Sequence, residues 1–145
     1  MKPPQKDWVK LNVGGVEYLS TKNTLTSKPN TIFVLMFEVD TTEGQEKYKS
    51  LDDKEKMVLS TKMQKWNQAD GAFKFDRDPE YFKPILNYLR TGHLHINKNI
   101  PLTAVLEEAA FYEVSELEIL LKKEVEKEKL RKERAAKFSS SWEDL

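Results

Sequence analysis

The sequence contains no cysteine among its 145 residues. Disulfide bonds, thiol nucleophiles and cysteine-ligated zinc are therefore excluded, and a cysteine-free chain suits a reducing compartment. Long apolar runs are also missing: the longest is Ile32–Phe37, far below the roughly 20 residues that a membrane helix needs. The residues before Trp8 offer no apolar stretch that could act as a signal peptide. We therefore expect a cytoplasmic chain without membrane insertion.

An excess of one charge sign is missing as well. Lys plus Arg and Asp plus Glu number 24 each, so the net charge is zero and nothing global predicts a nucleic-acid partner. The exception is the segment 122–137, in which eight basic residues outnumber four Glu. A basic segment can contact nucleic acid or acidic lipid. Its interspersed Glu instead predicts a solvated helix with Glu128–Lys132 and Glu133–Lys137 pairs.

A hairpin is predicted at the start of the chain. Trp8–Val13 and Val16–Ser20 are strand-like runs separated by Gly14-Gly15, and glycine supplies the positive φ of a tight hairpin turn. As a phosphate-binding loop the glycine pair lacks a third glycine, a Gly-Lys-Ser/Thr ending and a following helix. We therefore expect no nucleotide cofactor.

Three helices carry sequence signals at their ends. The first is predicted to have Asp78 as N-cap and Gly92 as its stop. Pro101 opens the second, and Ser115 with Glu118 forms a capping-box pattern for the last. The apolar stripe of the first helix consists of Phe82, Ile85, Leu86 and Leu89.

Two segments leave alternatives open. The β-branched and aromatic residues of Ile32–Phe37 favour a buried strand, whereas Asn30 could cap a short helix there. The polar stretch 38–70 is either an inserted flexible loop or contains a short helix near 53–66.

Chemical motifs are weak throughout. His93 and His95 lie two apart on a predicted short strand, His93–Ile96, but zinc needs three or four protein ligands. Asp76, Asp78 and Glu80 alternate as in a calcium loop, yet the required glycine and distal Glu are missing. No nucleophile elbow is present. We expect no catalytic, cofactor or metal site, and Asp78 as a helix cap beside an Asp76–Arg77 surface or interface ion pair.

Four collinear segments resemble the potassium-channel tetramerisation type of BTB/POZ domain. The most specific extends from Gly71-Ala72-Phe73-Lys74-Phe75-Asp76-Arg77-Asp78-Pro79 through Phe82 to Gly92. The other three are Val9–Gly15, Ser20-Thr21 with Thr24-Leu25 and Met36-Phe37, and Leu106–Ala109 with Phe111-Tyr112.

The resemblance implies an α/β (α+β) domain with a small sheet and flanking helices, and it makes Ile32–Phe37 helical. We divide the chain into a tail at 1–7, a tetramerisation-type domain at 8–121 with an insertion at 38–70, and a charged helix and tail at 122–145. The insertion is expected to be mobile and dispensable for folding, because loop-closure entropy grows slowly with length. The C-terminal segment is expected to be exposed, to fray, and not to be needed for assembly.

The same resemblance implies a non-catalytic adaptor that assembles with itself. Channel members of the family form homo-tetramers. Soluble members commonly form pentamers or other oligomers, and many of them recruit cullin-3 ubiquitin ligases. Asp76, Arg77 and Asp78 are the candidate contacts between subunits. For cullin-3, Phe37 or Val39 is the candidate anchor and Glu38 or Asp40 the acid, while Phe37 also fits a simple core position.

Two other functions remain open from the sequence. One is the cytoplasmic assembly domain of a voltage-gated potassium channel, which further apolar segments beyond the chain would support. Some channel members hold this interface with zinc through Cys and His, a site that a cysteine-free chain lacks. The other is a small enzyme, which a convergent polar pocket would support.

Overall fold

The computed structural model describes residues 8–40, 52–53 and 71–143. In these ranges a small sheet is flanked by helices, as expected for an α+β domain. The elements in chain order are β1 Trp8–Val13, β2 Val16–Thr21, α1 Lys22–Leu25, α2 Ile32–Asp40, β3 Ala72–Phe75, α3 Pro79–Thr91, α4 Leu102–Phe111 and α5 Ser115–Glu143. None of the described helices is long and apolar enough to cross a membrane.

The sheet has the strand order β2-β1-β3. β1 pairs antiparallel with β2, closing at Val13 opposite Val16, and pairs parallel with β3, with Leu11 opposite Phe73. Gly14 and Gly15 form the turn with φ values of 57° and 95°, and Gly15 N–H donates to Asn12 Oδ1 at 2.9 Å. The predicted hairpin is confirmed.

The core is built around the ring of Tyr112, which directly follows α4. This ring stacks on Phe33 of α2 at 5.3 Å between centroids, and it meets Phe75 of β3 at 5.4 Å and Phe82 of α3 at 5.2 Å. Side chains from α2, β3, α3 and the residue after α4 therefore share one aromatic cluster. Tyr112 is fully buried, and burial raises the pKa of its hydroxyl, which keeps that group neutral.

α3 begins and ends where the sequence predicts. Glu80 N–H donates to Asp78 Oδ1 at 2.9 Å. At the other end Gly92 has a left-handed φ of 76° and its N–H bonds to the Tyr88 carbonyl. All four residues of the predicted apolar stripe are buried. The signals are local caps and a 3.6-residue period, which act regardless of the rest of the fold.

Ile32–Phe37 is helical, as the family resemblance implied. The helix runs on to Asp40, and the expected insertion at 38–70 stays a prediction. Its cap is Thr31, whose Oγ1 accepts from Val34 N–H at 3.4 Å, and not Asn30. Only 52–53 of the remaining connection are described. The helix expected near 53–66 therefore lies outside the described residues apart from its first position.

Three other local expectations are wrong. His93–Ile96 is not a strand: the segment is unpaired, because Leu94 and Ile96 pack against the core without joining the sheet. α5 begins at Ser115, one position before the capping-box pattern requires, and Glu118 N–H bonds to the Val114 carbonyl at 3.0 Å. Of the two expected ion pairs on this helix, Glu128–Lys132 forms at 3.1 Å, while Glu133–Lys137 is not among the pairs of the described residues.

Candidate interaction surface

The loop Asp76–Asp78 connects β3 to α3, and the hairpin turn fixes its path. Gly14 N–H donates to the Phe75 carbonyl at 3.0 Å. A Cβ atom placed on Gly14 would lie only 2.4 Å from the Arg77 carbonyl oxygen, so the two backbones touch here and only glycine fits. This contact sets the direction in which the three side chains of the loop leave the backbone.

Arg77 turns back towards its own chain. Its Nε lies 3.1 Å from Glu108 Oε2 and its terminal nitrogen 2.6 Å from Glu108 Oε1, and the guanidinium lies 4.3 Å from the Phe111 ring centre. The hydrogen bond to Glu108 raises the pKa of Arg77 further above its usual range. This bidentate geometry is the strong form of an Arg–carboxylate contact. The ion-pair partner of Arg77 is thus Glu108, not Asp76.

Glu108 is the residue of this site that sequence reasoning missed. Its side chain is only 5% exposed, against 31% for Arg77. A signal was present, because Glu108 occurs three residues after Val105 and directly before Ala109, both of which face the core. A carboxylate on the inward face of a helix needs a cation nearby, and Arg77 supplies it.

The carboxylates beside Arg77 point outwards. Asp76, Asp78 and Glu80 are all exposed. The Tyr18 hydroxyl donates a hydrogen bond to the Pro79 carbonyl at 2.7 Å, which fixes the backbone between Asp78 and Glu80. Burial, and then the charges of Asp78 and Glu80, raise the pKa of Tyr18. We call the three exposed carboxylates the acidic rim. Among the residues expected at a subunit interface, Asp76 and Asp78 are therefore available on the surface, and Arg77 mainly holds the loop in place.

The second expected surface lies at the end of α2. Phe37 is half-buried, with its ring centre 5.9 Å from that of Phe73 and 5.7 Å from Lys22 Nζ. Both of its expected roles remain compatible with this position, since one side packs on β3 and the rest is reachable. Glu38, Val39 and Asp40 continue the helix. Their use by a partner remains a prediction.

The two histidines lie together and are exposed. Their ring centres are 6.2 Å apart. Within the described ranges no third potential ligand joins them in a metal-binding group. The interaction surfaces above are therefore the best-defined candidates for function.

Comparison with known proteins identifies the fold family. A family model described as the BTB/POZ domain matches residues 9–122. The human BTB/POZ domain-containing protein KCTD5 (Homo sapiens) is 36% identical over 118 residues, covering 81% of this chain and 42% of that protein. Human KCTD9 is 40% identical over 123 residues, covering 80% of this chain and 26% of that protein. Human KCTD17 is 34% identical over 119 residues, covering 82% of this chain and 31% of that protein.

A small sheet flanked by helices, with the matched segment extending from β1 into α5, defines a BTB/POZ domain. This chain belongs to the BTB/POZ family, in its potassium-channel tetramerisation type. It spans less than half the length of the curated relatives it matches.

Proposed function

We propose that this chain is the self-assembling interaction domain of a non-catalytic, cytoplasmic adaptor. The match of residues 9–122 to the BTB/POZ domain is the observation that carries the proposal. The relatives reported above are named as BTB/POZ domain-containing proteins and not as channels, which favours an adaptor over a channel assembly domain.

Assembly into a closed ring of about four or five subunits is the specific form proposed. A ring needs two different faces on each subunit. The acidic rim supplies one such face, because Asp76 and Asp78 are exposed on a loop whose backbone is fixed by Gly14 and by the Arg77–Glu108 pair. A rigid, charged rim suits contacts that set subunit orientation.

We expect light scattering of the chain at tens of micromolar to give the mass of a tetramer or pentamer. Asp76→Lys should shift the mass towards monomer, because it reverses a charge on the rim without touching the helix cap or the buried pair. Glu126→Lys, an equal charge change on the exposed part of α5, is the matched control and should keep the ring. Arg77→Glu is a poorer test, since it sets a second carboxylate against Glu108. A monomer at every concentration would remove the assembly proposal.

Binding to cullin-3 is the proposed partner function. Phe37 lies near the end of α2, three residues before Asp40, and an aromatic anchor is a common feature of binding hot spots. Acids next to such an anchor can add specificity for a basic partner. Calorimetric titration with the cullin-3 N-terminal domain should show binding that Glu38→Lys together with Asp40→Lys abolishes. Glu17→Lys on the exposed end of β2 is the control and should bind normally.

Two results would count against this partner function. Absence of binding at tens of micromolar would leave a scaffold that assembles without cullin-3. Binding that survives both reversals would keep the partner and remove this surface from the proposal.

A further inference from the structure

α5 has a buried start and an exposed remainder. Leu117 and Leu121 are fully buried in the core, and Glu116 receives hydrogen bonds from Tyr88 Oη at 2.5 Å and Lys28 Nζ at 3.2 Å. These bonds hold the pKa of Glu116 below its usual range, so it stays ionised. The helix is thereby clamped to the body at its first turns, while residues 129–139 are exposed.

One face of this helix carries exposed apolar side chains. Ile119 is 57% exposed, Leu130 is 44% exposed and Phe138 is 65% exposed. At about 100° per residue these positions fall within one stripe roughly 120° wide, together with Leu120. From Ile119 to Phe138 the stripe is about 28 Å long.

From Ile119 onward the same stripe holds five of the eight basic residues of 122–137 and none of the glutamates. Its five cations are Lys123, Lys127, Arg131, Arg134 and Lys137. The glutamates that follow Ile119 fall outside it, at positions 124, 126, 128, 133 and 143. Among the described residues only Lys127 of the five has a carboxylate partner, Glu124 at 3.4 Å. Although glutamates and cations alternate along the sequence, the cations of this stripe lie together on one side of α5. We call this face the basic stripe.

The arrangement of charges within the basic stripe disfavours a membrane. Interfacial helices carry a continuous apolar face with cations on the opposite, polar side. Here Lys123, Lys127 and Arg134 occupy the middle of the stripe and the apolar side chains lie along its two edges. Inserting such a face into lipid would bury the cations first.

Self-pairing of the stripe is disfavoured as well. Two basic stripes laid against each other would oppose five cations with five cations, and like charges across an interface cost free energy. A complementary surface needs carboxylates along its middle and apolar recesses at its edges.

We propose that the basic stripe of α5 is a docking surface for an acidic, amphipathic helix of a partner protein. Carboxylates of the partner would pair with Lys123, Lys127 and Arg134, and its apolar side chains would cover Leu130 and Ile119. The proposal adds a third interaction surface to the proposed adaptor, besides the acidic rim and the end of α2. It does not depend on ring assembly, because the stripe lies wholly on one chain.

The test uses the whole chain and a labelled synthetic peptide of about 25 residues, helical, with Glu in the middle of one face and Leu at its edges. Fluorescence anisotropy should show a dissociation constant of tens of micromolar or tighter at about 50 mM salt. Raising the salt to about 300 mM should weaken binding about tenfold, because exposed charge pairs are screened.

Matched double variants separate the stripe from the total charge. Lys123→Glu with Arg134→Glu should weaken peptide binding at least about tenfold. Lys122→Glu with Lys129→Glu makes the same charge change on the opposite side of the helix and should leave binding within about twofold. Circular dichroism of both variants checks that α5 keeps its helicity.

Several outcomes would overturn the inference. They are equal weakening by the two double variants, no binding at about 100 µM peptide, or binding to vesicles containing phosphatidylserine without binding to the peptide. Scattering of the Lys123→Glu, Arg134→Glu variant distinguishes this proposal from assembly: a lost ring would make the stripe a subunit contact, whereas an unchanged mass with lost peptide binding supports a separate docking surface.

Discussion

Replacing Arg77 with methionine should lower the free energy of unfolding by about 3 kcal/mol. The substitution keeps an apolar side chain, but it removes the guanidinium that lies over the Phe111 ring and leaves the Glu108 carboxylate buried without its two hydrogen bonds. Breaking a buried pair from one side costs about 3–5 kcal/mol, and the lower end applies because the guanidinium is partly solvated. Urea unfolding at a fixed chain concentration measures the loss.

A double variant decides whether the charge or the packing is responsible. Arg77→Met combined with Glu108→Leu removes both charges, and such replacements are often neutral. We expect the free energy of unfolding of this double variant to lie within about 1 kcal/mol of that of the unmodified chain. Arg77→Lys keeps the charge but loses the two-pronged contact, and should fall in between. A double variant as unstable as Arg77→Met alone would assign the effect to the Phe111 contact instead.

Gly14→Ala should destabilise the chain by about 3 kcal/mol or more, because two costs add. A left-handed φ of 57° costs a non-glycine residue about 1–2 kcal/mol. In addition, the new Cβ would meet the Arg77 carbonyl oxygen at 2.4 Å, so the hairpin and the Asp76–Asp78 loop must move apart. Backbone atoms cannot swing away as the end of a side chain can.

Gly15→Ala is the matched control for this prediction. Gly15 also has a positive φ, of 95°, but a Cβ there meets nothing within 4 Å. Gly15→Ala should therefore lower the free energy of unfolding only by the cost of the left-handed backbone conformation, about 1–2 kcal/mol. Chemical denaturation of both variants side by side gives the difference. Equal losses would show that the close approach to Arg77 relaxes freely, and that the hairpin does not fix the loop.

The parts of this fold that the sequence predicts are those decided by neighbours along the chain. The Gly14-Gly15 turn, the Asp78 cap and the Gly92 stop each depend on a few consecutive residues, and the stripe of α3 depends on its period alone. The family resemblance was needed for α2, since six apolar residues carry no decisive periodicity. Phe33 and Met36 are buried on a helix by contacts that sequence patterns do not show.

The sequence does not predict contacts between residues that lie far apart in the chain. Arg77 and Glu108 belong to different elements, and nothing local tells whether Arg77 faces a second subunit or its own chain. The strand expected at His93–Ile96 is wrong for a similar reason, because a strand must lie next to a sheet edge, and local residues do not show whether it does. The basic stripe was visible only after α5 was known to be continuous, since its glutamates mask the segregation when residues are merely counted.

The central position of β1 imposes an order on folding. Its pairing with β2 needs only a two-residue turn, whereas its pairing with β3 brings Leu11 to Phe73 across roughly 60 residues of chain. Closing a loop of that length costs about 3–4 kcal/mol of entropy before any contact compensates for it, so we expect the hairpin to form before β3 docks. The Asp76–Asp78 loop follows β3 directly and takes its fixed path only after that docking. We therefore expect that a copy in which β3 has not docked lacks the ordered Asp76–Asp78 loop and contributes poorly to any assembly that uses the acidic rim.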